Sequence, residues 1–156
     1  MTSVLRFLQF FALGAWVGAI IFLSFVEAPG VFGILSNREQ AGTIVGYSLT
    51  RLHYIGIIAA VVYLLAGVGL AKSVKWLTAP AAILVIAMLA LTIASERGVR
   101  PRINAVRAQI PSSVDALRAD DPLRAQFDRL HRVSVQLEGA TLLIGVVALF
   151  LTARKQ

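Results

Sequence analysis

Four apolar stretches dominate this chain and decide what it can fold into: Phe7 to Val26, Tyr54 to Ala71, Val74 to Ala94 and Val133 to Ala153. Only Lys75, at the start of the third, and Glu138, inside the fourth, interrupt them with charge. Each is close to the ~20 residues that carry a helix across ~30 Å of hydrocarbon. With 58% of 156 residues hydrophobic and 15% charged, no water-soluble fold of this size could hide the apolar surface. The expectation is an all-α protein, a four-transmembrane-helix bundle with helical extensions projecting from one face. Residues 1–156 read as a single membrane domain, because no Ser/Gly-rich or Pro-rich linker divides them.

The connections give the layout. Arg6 before the first stretch resembles a signal peptide's basic start, but the stretch is long and runs into Glu27-Ala28-Pro29-Gly30 without a small-x-small cleavage site, so it is read as a retained span. Lys72 to Trp76 leaves room only for a tight hairpin, which makes the second and third spans antiparallel neighbours. Ser36-Asn37-Arg38-Glu39 has capping-box spacing, with Ser36 as the cap of a helix that runs on into the second span. Pro101 and Pro111 punctuate the segment from Ser95 to Arg132, and Asp121-Pro122 is a helix start. From Leu123, apolar residues at Phe127, Leu130, Val133 and Leu137 recur at helical steps, which predicts one unbroken helix into the fourth span.

Parity then sorts the ends. The N-terminus, the Lys72/Lys75 hairpin and Arg154-Lys155 share one side, with basic residues and no acids, while the two long connections share the other. Short segments near span ends weigh most in topology, so both termini are expected in the cytoplasm, with the lipid bilayer as the protein's first partner. The net charge of +7 does not point to nucleic acid, because the basic residues lie at span ends rather than in one patch. The absence of cysteine excludes disulfides, thiolate metal sites and cysteine nucleophiles.

Polar residues converge at the long-connection end. Arg51-Leu52-His53 precedes the second span and Arg129-Leu130-His131 the fourth, so both histidines are expected at similar depth, although nothing around the tripeptides repeats. Glu27 closes the first span, and Arg97, Arg100 and Pro101 follow the third. Glu138 lies well inside a span, where an ionisable residue costs a few kcal/mol and usually faces a bundle interior or wet cavity. His131, Ser134 and Glu138 share a helix face. The candidate binding residues are therefore His131, Glu138, Ser134, His53, Glu27 and Arg100. Two imidazoles and two carboxylates could hold a divalent metal or relay protons, but neither His-x-x-x-His nor Glu-x-x-His occurs, and no cofactor is implied. The structural alternative is that the histidines and arginines anchor at the interface and that Glu138 pairs with an arginine or stays protonated. Gly14-Ala15-Trp16-Val17-Gly18 is a small-xxx-small match that packing within the bundle or a homo-oligomer contact would explain equally.

Trp16-Val17-Gly18, Glu27-Ala28-Pro29, Arg100-Pro101-Arg102-Ile103-Asn104 and Phe127-Asp128-Arg129-Leu130-His131-Arg132-Val133-Ser134 together resemble the bacterial domain-of-unknown-function family 4149, itself similar to eukaryotic transmembrane protein 205. The resemblance implies four spans in a bacterial inner membrane and a Phe-x-x-x-His-x-x-Ser signature that places His131 and Ser134 at family-type positions. It has no established place for His53 or Glu138. The eukaryotic relatives' association with resistance to platinum drugs implies transport or trafficking of metal compounds. The layout is also loosely similar to copper-resistance membrane proteins and to small four-span oxygenases. The first expectation is thus a small transporter or ligand-binding protein with a polar site at one mouth, using Glu138 and His131 as principal ligands or proton carriers. A membrane enzyme acting on a quinone or lipid with His131 as base, and an assembly subunit, are the alternatives; no nucleophile–base–orienter set is visible for the enzyme.

Overall fold

Each expected span is the middle of a longer helix. A computed structural model, describing residues 2–111 and 113–154, contains α1 (Thr2–Ile34), α2 (Arg38–Ala71), α3 (Pro80–Arg107) and α4 (Pro122–Ala153), each long and apolar enough to cross a membrane. No strand occurs among the described residues. At 1.5 Å per residue the helices measure about 42–51 Å, so every one outruns a hydrocarbon layer of ~30 Å. The surplus lies mainly on the long-connection side, where α2 begins at Arg38 and α4 at Pro122.

Local chemistry sets the ends. Asn37, not Ser36, caps α2: its Oδ1 accepts from the backbone N–H groups of Glu39 at 2.9 Å and Gln40 at 3.1 Å. The amide of Asn37 is a strong cap in its own right and serves two of the free N–H groups. Asp121 caps α4 as its Asp-Pro pair predicts, accepting from Leu123 N–H at 2.8 Å. The hairpin differs from expectation. The third helix starts at Pro80 rather than Val74, and Val74–Thr78 forms a 3-10 turn. Proline disfavours helical geometry in the residue before it, and Ala79 is extended. Lys72 ends α2 in the left-handed region, at φ 50°.

The prolines of α1 and α3 do not break them. Each is preceded by a π-helical turn, Leu23–Glu27 before Pro29 and Ser95–Val99 before Pro101. A proline removes one i→i−4 bond and crowds the carbonyl four residues back. Wider bonding, from Ala28 N–H to Leu23 O and from Arg100 N–H to Ser95 O, lets the chain pass without a kinked stop. The repeat is therefore in backbone geometry, with a π turn and proline on each odd-numbered helix, and the Arg-Leu-His tripeptides on each even-numbered one.

Two antiparallel hairpins, α1–α2 and α3–α4, close into a ring through α1–α4 and α2–α3 contacts. Leu13, Trp16, Val17, Ile20, Ala60, Tyr63, Val85, Met88 and Ala148 fill the axis. Glycine is required where helices touch: a Cβ on Gly56 would overlap the Trp16 indole, and one on Gly67 would overlap the Trp76 ring. Gly14 and Gly18, by contrast, have nothing within 4 Å of a built Cβ, so packing inside the bundle does not explain their smallness. Only 17–39% of an 18-residue apolar segment of each helix is buried within the protein, and Leu65 and Leu143 stand outward, so lipid must cover the rest. The chain is an integral membrane protein.

Candidate functional site

The polar convergence expected at the long-connection mouth exists, but around a different histidine. His53, on α2 at the top of the apolar core, has a side chain only 1% exposed. Its Nδ1 lies 2.7 Å from Glu96 Oε2 and its Nε2 lies 3.3 Å from Glu138 Oε2. One ring thus ties α2 to α3 on one edge and to α4 on the other. Glu96 sits inside the π turn of α3, and Arg100, one turn on, donates to Glu96 Oε2 at 3.4 Å.

Hydrogen-bond arithmetic constrains this cluster. A neutral imidazole has one donor and one acceptor, whereas ionised carboxylates only accept. Both ring nitrogens can therefore be satisfied only when the trio holds two bridging protons. Either His53 is an imidazolium between two carboxylates, or it is neutral with one carboxyl protonated. Both states leave the trio with a single negative charge, which Arg100 balances. A cluster of zero net charge is far cheaper to bury than an isolated ion. Glu138 Oε1, sealed from solvent, has no hydrogen-bond partner among the described residues and can still accept a donor from a ligand or water.

The mouth is braced outside the trio. Arg107, at the end of α3, pairs with Glu39 Oε1 at 3.2 Å and donates to the Glu39 carbonyl at 3.2 Å. Buried Thr92 and Ser95 on α3 and Thr141 on α4 extend the polar layer below the trio.

Of the six candidates, His53, Glu138 and Arg100 come together. His131 does not join them: it is exposed on α4 and stacks on Phe127 of its own helix, with ring centroids 6.1 Å apart and planes 4° from parallel. Ser134 and Glu27 are half-buried, Glu27 within the π turn of α1, and neither bonds to the trio. Glu138 pairs with a histidine rather than an arginine. Among the described residues no group of three His, Cys, Asp or Glu side chains is arranged to hold a metal ion, because the imidazole separates the two carboxylates instead of converging with them.

Glu96 is the residue that sequence reasoning missed. It lies two positions past the third apolar stretch, at the rim that includes His53, and four residues before Arg100. An acid at i, i+4 from a basic residue beside a span end is a legible signal. Its direction is not legible, because a regular helix and a π turn aim that side chain differently.

No curated protein and no solved structure matches the chain significantly. A family profile, described as Domain of unknown function (DUF4149), matches residues 11–112, which takes in most of α1 and all of α2 and α3, with His53, Glu96 and Arg100, and stops short of Glu138. On that match, which covers well over half of the sequence, the chain belongs to the DUF4149 family.

Proposed function

We propose that this membrane protein is a small proton-coupled carrier of cationic compounds, with its site at the long-connection mouth. The observation behind the reading is that both nitrogens of one buried imidazole face carboxylate oxygens on two other helices. Such a chain stores protons inside a bundle and passes them between Glu96 and Glu138 by rotation or tautomer exchange of His53. A cation entering the mouth can replace a bridging proton without changing the cluster's net charge, and that exchange couples binding to proton release. Glu138, whose buried Oε1 has no partner among the described residues, has acceptor capacity left for a ligand once the mouth opens; Glu96, held by Arg100, is the fixed end. A cationic compound is favoured over a bare metal ion because among the described residues no three His, Cys, Asp or Glu side chains converge.

The enzyme reading has less support. It needs His131 to face a lipid-side cavity, and His131 is stacked on Phe127 instead.

Reconstitution tests the proposal. Proteoliposomes with an acidic interior and a trapped pH dye are challenged with ethidium, tetraphenylphosphonium and divalent metals in turn. At least one organic cation should drive proton efflux at several times the rate of empty liposomes, and Glu138→Gln and His53→Gln should abolish the excess. Rates equal to empty liposomes for all probes, or an excess unchanged in both variants, overturn it.

A further inference from the structure

A second feature lies on the same side of the membrane but on the flank of the bundle. A groove of about 360 Å³ between α3 and α4 is lined by Val99, Arg102, Gln126, Arg129, Leu130 and Val133. The geometry points to this groove as a seat for the phosphate headgroup of an anionic phospholipid.

Three observations carry it. Arg102 and Arg129 are exposed, and neither forms an ion pair among the described residues. Among the described residues no acid lines the groove, and Gln126 adds an amide donor. Two arginines and a glutamine at its edge bring donors of the kind that pair with a phosphodiester. The floor is apolar: Val99 and Leu130 are covered or half-covered, and Val133 is 37% exposed.

Depth decides between a lipid and a soluble phosphate ester. Val133 opens the apolar stretch of α4, and Arg102 lies on the polar extension of α3 beyond Ser95. The arginines therefore stand at headgroup level with the apolar floor leading toward the acyl region, which is the geometry of basic pockets between membrane helices that hold anionic headgroups. The volume falls near the lower end of ~300–1,000 Å³ ligand sites, enough for a headgroup whose chains remain in the bilayer. The inference uses no residue of the His53 cluster and stands apart from the carrier reading.

Native mass spectrometry of the full chain released from nanodiscs of equal dioleoylphosphatidylglycerol and dioleoylphosphatidylcholine tests it. The expected result is a several-fold excess of phosphatidylglycerol adducts that falls to parity in Arg102→Gln/Arg129→Gln. It should persist in Arg6→Gln/Arg154→Gln, which removes the same charge from the opposite face, and in Glu138→Gln. Both arginine pairs are exposed, so their variants should fold, and circular dichroism checks all three variants. Equal adducts of the two lipids, or an excess that survives the groove variant, overturns the proposal. So does displacement of the excess by millimolar inorganic phosphate, which would make the groove a free-phosphate site.

Discussion

The two mouths of the bundle handle buried polarity in opposite ways. At the long-connection mouth, three ionisable side chains from three helices share protons around His53. At the termini mouth, the buried polar groups are neutral: Gln9 donates to the Tyr63 carbonyl at 3.3 Å, and the Tyr63 hydroxyl shares a 2.7 Å hydrogen bond with Thr152. A cavity of about 280 Å³ adjoins them, walled by Trp76 and open to Arg6. The neutral network needs no exchange of protons to be satisfied and serves to lock helices. The charged one is satisfied in two protonation states, and that redundancy is what the proposed carrier role uses and a lock does not need.

The comparison can be broken at either end. The largest expected effect is at the charged mouth: His53→Ala leaves Glu96 and Glu138 without their bridge and should cost about 3–5 kcal/mol of stability, read by thermal unfolding in detergent micelles. Loss below 1 kcal/mol would mean that the carboxylates are solvated and the clamp is not buried. Next is Gly67→Ala, which forces the Trp76 ring off α2 and should cost about 1–3 kcal/mol at the neutral mouth, with a red shift of Trp76 emission as the ring is wetted. Tyr63→Phe removes the hydroxyl bond to Thr152 and should cost only about 0.5–1.5 kcal/mol, because Thr152 keeps its bond to the Ala148 carbonyl. It should leave the proposed proton coupling intact, which separates lock from candidate site. The smallest effect has the opposite sign. Lys72→Gly relieves a left-handed residue at the end of α2, partly offset by glycine's larger unfolded-state entropy, and should stabilise by about 0.5 kcal/mol.

The bundle was legible because span length and hydropathy are one-dimensional. Continuity of α2 and α4 followed from caps and periodicity in the polar segments, and the mouth that gathers the ionisable groups followed from parity. The π turns were not legible, since a proline in a helical pattern reads as a stop unless the preceding turn is known to widen. That gap explains why Glu96 was passed over. His131 was favoured over His53 for a related reason: it shares a helix face with Glu138, whereas His53 reaches Glu138 only across the bundle, and sequence spacing reports faces of one helix and not contacts between two. Asn37 displaced Ser36 because two adjacent residues can each cap, and the choice depends on the backbone of the turn that ends α1.

The central claim is that one imidazole bridges two carboxylates, and ring-nitrogen chemical shifts test it directly. The chain has two histidines, so ¹⁵N-histidine labelling in a His131→Gln background leaves His53 as the only signal. Glu96→Gln should move chiefly Nδ1, and Glu138→Gln should move chiefly Nε2, because each nitrogen faces one carboxylate. Two nitrogens at the positions of a free imidazole, insensitive to both substitutions, would contradict the account.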